Sequence, residues 1–231
     1  MLSERAEEPM HAPRELSVAI LAAGRGTRLG GPKALFELAG EPLLLRILRT
    51  LDAVGTELRC GLDIAVVCGA DRERVRELLG RSMPHLEARI VANDAPERER
   101  TLSLRLACQA LPPALPLLVW PVDVPLVARR TLRELLRAPL PARAFRSPCS
   151  AERGGHPVLL GAELREELLA LRDDETLREL RDRATTQRER LAVDDPLILL
   201  DLDTPRDVEH ALRELAAAPP ERPENGDQRP T

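Results

Sequence analysis

The stretch Leu21-Ala22-Ala23-Gly24-Arg25-Gly26-Thr27-Arg28-Leu29-Gly30-Gly31-Pro32-Lys33 follows an apolar run and ends on the only lysine of the chain; every other one of its 34 basic side chains is arginine. A composition that writes arginine wherever either cation serves, yet keeps one lysine, marks a position that asks for a compact ammonium rather than a planar guanidinium. Chance retention is the plain alternative. Gly24, Gly26 and Gly30 give a backbone with little bulk, whose N–H groups can approach an anion while Arg25, Arg28 and Lys33 supply charge. The glycine spacing, G-x-G-x-x-x-G, misses the dinucleotide fingerprint, and Pro32 and Ala34 break the Walker pattern, so neither a NAD-binding turn nor a P-loop ATPase is supported. The same residues also read as a strand-to-helix connection with solvated basic groups.

Outward from this loop, apolar runs at 16–21, 64–68, 88–92 and 117–122 predict buried strands. Helical patterns at 42–53, 72–79, 102–111 and 128–137 follow them, with Pro42 in a first turn. Four strand-then-helix units in succession need long crossovers, which predicts a Rossmann-like three-layer α/β/α fold with a mostly parallel sheet. The glycine loop then sits at the carboxyl edge of the sheet, where open α/β folds bind ligands. Past residue 138 the pattern loosens: strands are expected at 143–146 and 157–160, helices at 162–171 and 174–183, and a last strand at 197–202. Thr204 and Pro205 then open a helix to about residue 216. The charge runs 72–76 and 178–190 read as solvated helix faces. Residues 1–14 and 219–231 lack an apolar period, which predicts a flexible N-terminal segment and a disordered C-terminal tail around one domain at 15–218.

A net charge of −4 with dispersed arginines, and two Phe, one Trp and no Tyr, give neither a basic stripe nor stacking platforms, which argues against nucleic acid as a partner. Cys60, Cys68, Cys108 and Cys149 are too irregularly spaced for paired zinc ligands and read as reduced, buried thiols. No apolar run reaches the length of a membrane span and the N-terminus carries no targeting pattern, so a cytoplasmic protein with no membrane partner is expected.

Two acidic stretches could hold a cation. Asp123, in Trp120-Pro121-Val122-Asp123-Val124-Pro125, ends the fourth predicted strand beside the glycine loop, either as a ligand of Mg2+ or as a turn residue capping the next helix. In Asp201-Leu202-Asp203-Thr204-Pro205-Arg206-Asp207, Asp201 is the favoured ligand, while Asp203 is equally a ligand or a helix cap. Asp194-Asp195 reads as a turn opener before Pro196, without chemistry. Gly155 and His156, in Gly154-Gly155-His156-Pro157, are either structural or part of a close approach to a ligand. Asn93 and Ser103 would face the crevice as contacts to a base or ribose, or serve as ordinary caps.

The glycine stretch resembles the signature L-A-A-G-x-x-x-R-x-G-x-x-K of nucleotidyltransferases of the molybdenum-cofactor transferase type, the nucleotide-diphospho-sugar transferase fold. The Ala-Ala version is more typical of the cytidylyltransferase branch. Asp123-Val124-Pro125 resembles the family's D-x-P segment, although glutamine is commoner where Val124 stands, and residues 201–207 are similar to D-I-D-T-P-E-D. Gly155-His156-Pro157 resembles the G-H-P segment of the molybdopterin cytidylyltransferase-like branch. The family's glycine a few residues before Ser103 is missing. The resemblance implies that Leu21, Ala22, Ala23, Gly24, Arg28 and Lys33 hold the nucleotide, that Asp123 and Asp201 hold Mg2+, and that Gly155 and His156 face the acceptor. The implied reaction transfers CMP from CTP, with GTP or another NTP as alternatives, to a phosphorylated acceptor such as molybdopterin, and admits a partner in molybdoenzyme maturation. Alternatives are transfer to a sugar phosphate or other small metabolite, or a catalytically silent nucleotide-binding module.

Overall fold

The computed structural model describes residues 15–217 apart from Arg25, 96–99, Asp173 and Ala184; the expected terminal tails and the loop residue Arg25 lie outside the described residues. The elements in chain order are β1 (Glu15–Ala22), β2 (Glu37–Leu38), β3 (Glu41–Pro42), α1 (Leu43–Leu58), β4 (Gly61–Cys68), α2 (Arg72–Ser82), β5 (Ala88–Ala92), α3 (Arg100–Ala110), β6 (Leu117–Pro121), α4 (Arg129–Arg137), β7 (Ala144–Ser150), β8 (Arg153–Gly154), β9 (Val158–Leu160), α5 (Ala162–Leu169), α6 (Leu177–Asp182), β10 (Gln187–Ala192) and α7 (Pro205–Ala217).

The main sheet runs β10-β7-β9-β6-β1-β4-β5, with β8 paired onto β7. β1 lies parallel between β4 and β6, β5 extends the parallel set, and β7 pairs parallel with β10. Only β9, between β6 and β7, and the short β8 run against the rest. The period of two in β1 sends its side chains alternately to two cores. Leu16, Val18 and Ile20 pack with Ile47, Leu48 and Leu51 of α1, while Ala19 joins Leu104 and Ala107 of α3 and Leu164 and Leu168 of α5 on the opposite face. Helices thus cover both faces of a mostly parallel sheet, as the strand–helix alternation predicts.

The chain builds from β1 outward to β4 and β5, then crosses to the other side of β1 to lay down β6. The carboxyl ends of β1 and β6 therefore form a topological switch point, the place where a crevice opens in such sheets.

Three local expectations are corrected. The apolar run 197–202 is not a strand: Pro196–Leu199 is a 3-10 turn, and the chain then continues as a strap that buries Ile198 and Leu202 against the α1 side without joining the ladder. The last strand is instead β10, which begins within the charge run read as a helix face. Its Arg188 and Glu189 pair with Asp182 and Arg146, so charged side chains are satisfied on both faces of an edge strand and no apolar alternation betrays it. The β2–β3 hairpin turns through Ala39 and Gly40 at φ 52° and 77°. Its second strand includes Pro42, which stands at the N-cap of α1 rather than in its first turn.

Candidate active site

β1 delivers the glycine loop to the switch point. Leu21 carbonyl accepts from Val122 N–H at 3.0 Å, which ties the start of the loop to the residue before Asp123. Gly26 adopts φ 57° and Gly30 φ 81° around the 3-10 turn Thr27–Leu29. The Gly26 carbonyl accepts from Leu29 and Gly31 N–H at 2.9 and 3.2 Å, and a Cβ on Gly26 would stand 1.9 Å from the Gly31 oxygen. Gly26 is thus required by both backbone and space. Gly24 is exposed, and among the described residues beyond its chain neighbours nothing lies within 4 Å of where a Cβ would be, so its bareness leaves the backbone there open.

A second 3-10 turn, Lys33–Leu35, turns the single lysine inward until its side chain is 12% exposed. Lys33 Nζ donates to Asp123 Oδ2 at 2.9 Å and to Asp203 Oδ1. Burial disfavours the ammonium, but the hydrogen bonds and charges of Asp203 and Asp123 outweigh it and hold the pKa above the usual lysine value. Asp123 itself is fixed by a tight turn: Val124 N–H donates to the Pro121 carbonyl, and the fully buried Trp120 indole donates to the Val124 carbonyl at 2.8 Å.

The strap brings in the second carboxylate. Leu202 N–H donates to the Asp123 carbonyl at 2.8 Å, which lays 201–203 along the Asp123 turn. The residue meeting Lys33 is Asp203, which the sequence leaves open between ligand and cap; Asp201, favoured there as the ligand, lies exposed two residues earlier. Capping falls to Thr204 and Asp207: Asp207 Oδ2 accepts from Thr204 N–H and Oγ1, and Asp207 N–H donates back to Thr204 Oγ1. The Thr204 hydroxyl and the backbone N–H groups of Thr204 and Asp203 hold the Asp207 carboxyl below the usual range. With the helix end satisfied by Asp207, Asp203 is released for Lys33.

At the carboxyl ends of β1, β4 and β5, Ala22, Ala23, Gly24, Gly69, Arg72 and Asn93 line a cleft of about 610 Å³, a size that suits a small organic ligand. Asn93 is buried in its wall and already engaged: Nδ2 donates to Ser103 Oγ at 2.8 Å and Oδ1 accepts from Ala95 N–H at 3.0 Å. The two residues meet as a braced pair, of which Asn93 lines the cleft. Arg28 is exposed on the loop with no ion pair among the described residues. Gly155 does not offer an open approach to a ligand, because a Cβ there would stand 2.5 Å from the Ile198 carbonyl; the close neighbour is the strap. His156 N–H donates to that same carbonyl at 3.0 Å, so Gly155-His156 docks the strap on the sheet.

Among the described residues no group of three or more His, Cys, Asp or Glu side chains is arranged to hold a metal ion. The donor set nevertheless suits Mg2+ or Mn2+, which take one or two carboxylates and draw their remaining oxygens from substrate phosphates and water. Asp123 and Asp203 already converge on a single cation, the Lys33 ammonium, and remain 28% and 52% exposed toward the crevice.

A doubly covered, mostly parallel sheet thus carries a glycine loop, a lysine and two carboxylates at its switch point. Residues 18–193 match the MobA-like NTP transferase domain, and the chain belongs to that family. Bifunctional protein GlmU of Azorhizobium caulinodans is 36% identical over 129 residues, which cover 55% of this chain and 27% of that one. CMP-5'-(3-aminopropyl)phosphonate synthase of Streptomyces rubellomurinus is 38% identical over 98 residues, or 40% of this chain and 15% of that one. The match spans about a quarter of the length of the GlmU relatives. Among solved structures, Rv0371c of Mycobacterium tuberculosis H37Rv superposes with a TM-score of 0.69 at 27% identity, over 86% of this chain and 97% of that one. A structure of Rv0371c complexed with manganese gives 0.66 at 25% identity, over 86% and 98%. No helix among the described residues is long and apolar enough to cross a membrane.

Proposed function

We propose that this protein is a divalent-metal-dependent cytidylyltransferase that moves CMP from CTP to a phosphorylated acceptor, with molybdopterin the first candidate, and releases pyrophosphate. The observation that carries this reading is the meeting of Lys33, Asp123 and Asp203 at the switch point, with an open cleft lined by the start of the same glycine loop. The name of the phosphonate synthase relative supports a cytidine nucleotide, and the Ala22-Ala23 form of the loop agrees with it. The four buried free thiols are in keeping with a cytoplasmic enzyme.

An acceptor phosphate oxygen attacks the α-phosphorus of the nucleotide; one P–O bond forms, the bond to the bridging oxygen breaks, and pyrophosphate leaves with that electron pair. No protein nucleophile is needed. The cleft walls and the bare backbone at Ala23-Gly24 orient the nucleotide so that attack is in line. Lys33 and the exposed Arg28 balance the charge that grows on the leaving pyrophosphate. Asp123 and Asp203 would hold the divalent ion, which when bound neutralises phosphate oxygens as a Lewis acid. In the free protein Lys33 stands in for that cation, so it is placed to swing from carboxylates to phosphate as the nucleotide enters.

The test is pyrophosphate release from CTP, GTP, ATP and UTP with a phosphorylated pterin and a panel of sugar 1-phosphates. Release with CTP and the pterin is expected. Release only with a sugar phosphate would move the acceptor, and none with any pair would leave a silent nucleotide-binding module.

A further inference from the structure

Asp194-Asp195 carries no chemistry in the sequence, yet Asp195 is only 3% exposed, and a carboxylate buried so far from solvent must be committed to specific partners. Its Oδ2 accepts from Ala128 N–H at 3.0 Å and from Thr131 Oγ1 at 2.7 Å, and its Oδ1 accepts from Leu197 N–H at 3.2 Å. Ala128 is the N-cap of α4 and has no capping side chain of its own, so Asp195 caps that helix across 67 residues of sequence. The same carboxylate caps the 3-10 turn that opens the strap. It therefore grips the chain at Ala128, five residues after Asp123, and at Leu197, six residues before Asp203.

From that grip the strap has two further docking points, Ile198 on His156 and Leu202 on Asp123, before it presents Asp203 to Lys33. We infer that Asp195 is a positioning residue: it sets the distance between the Asp123 turn and the strap, and so holds Asp203 against the Lys33 ammonium. It touches no reacting atom and acts through Asp203. The inference takes the Lys33 cluster as the reactive centre from the preceding section, but its structural content stands without any reaction.

Because Lys33 is the only lysine, its ε-amine reports on the cluster directly. The full-length protein is treated with limiting acetic anhydride at fixed pH, and the rate of acetylation at Lys33 is read by peptide mass spectrometry. The set comprises wild type, Asp195→Asn, Thr131→Val and the reference Asp203→Asn, with Thr186→Ala as a destabilised control. Thr186 caps α6 through the Leu180 carbonyl, away from the cluster. Asp195→Asn is expected to acetylate about fivefold faster than wild type, the equivalent of one charge-assisted hydrogen bond loosened, approaching Asp203→Asn. Thr131→Val should move the same way by less, and it carries the test if Asp195→Asn does not fold. Thr186→Ala should lower the melting temperature without changing the rate. A wild-type rate in Asp195→Asn, or an equal acceleration in Thr186→Ala, would overturn the inference. Failure of the transferase reading would show separately, as absence of pyrophosphate release with normal Lys33 protection.

Discussion

Lys33 shows how a residue type can be legible while its partners are not. A single lysine among arginines is visible in composition, and so is Asp123 at the end of a strand. What composition cannot show is which of Asp201 and Asp203 meets the lysine, because that depends on the strap being a 3-10 turn and on Asp207 taking over the helix cap. Removing a charged contact that acts on the leaving group typically costs about 3 to 4 kcal/mol of transition-state stabilisation. Lys33→Ala should therefore lose roughly a hundredfold to a thousandfold in turnover, measured as pyrophosphate release. Lys33→Arg should fail as well, since a planar fork cannot sit as a point charge between two carboxylates. The opposite sign is expected for metal: with its ammonium gone, Lys33→Met should bind Mn2+ more tightly than wild type in the absence of nucleotide, as read by paramagnetic resonance titration. Weaker binding in the variant would move the metal away from Asp123 and Asp203.

Elements divide along the strength of their patterns. β1, β4, β5 and β6 are short apolar runs between clear breakers, and their parallel order follows from the helices between them. β10 and the strap exchange their apparent identities because a charged edge strand looks like a solvated helix face, whereas an apolar strap looks like a buried strand. The glycine loop gives a paired prediction. Gly26→Ala places a Cβ against the Gly31 carbonyl and should cost stability and activity together, whereas Gly24→Ala meets no atom of the described residues beyond its chain neighbours within 4 Å and should leave the melting temperature unchanged. Any loss of nucleotide affinity in Gly24→Ala then reads the approach of the ligand itself. Helix ends supply another device that sequence hides. The buried Arg165 donates to the Cys108, Leu111, Pro112 and Leu115 carbonyls and to Ser17 Oγ, satisfying the end of α3 without an acidic partner among the described residues. Arg165→Met keeps the bulk but strands these acceptors, and should lower unfolding stability by about 3 kcal/mol in urea titrations. A change within about 0.5 kcal/mol, the range of an ordinary surface substitution, would contradict that role.

At the scale of the whole molecule, two cores on either side of one sheet leave the carboxyl edge as the place where loops from β1, β4, β5 and β6 gather. The fold is legible because binary patterning dominates it; the site is legible only as loops, since its geometry depends on contacts made across 90 and 170 residues. The buried thiols give the molecule an alkaline limit. Burial pushes Cys60 up to about 11 and Cys68 to about 12, and also raises Cys108. Unfolded thiols release their protons near the ordinary value of about 8.5 while the folded ones keep theirs, so the unfolded state binds fewer protons and stability falls as pH rises. Lys33 acts in the same direction: its raised folded pKa contributes stability below the ordinary lysine value that is lost as pH rises through the folded value. Urea midpoints should therefore decline steadily above about pH 9, and Cys68→Ala should flatten the decline.

Whether the cleft and the Lys33 cluster serve a metal-bound nucleotide is decided by calorimetric binding of CTP, GTP, ATP and UTP, with and without Mg2+, to the wild-type protein and to Asp123→Asn. Mg2+-dependent binding with a preference for CTP is expected, with loss of the metal dependence in Asp123→Asn. Binding that ignores the metal in both proteins, or no binding of any nucleotide to the wild type, would contradict it.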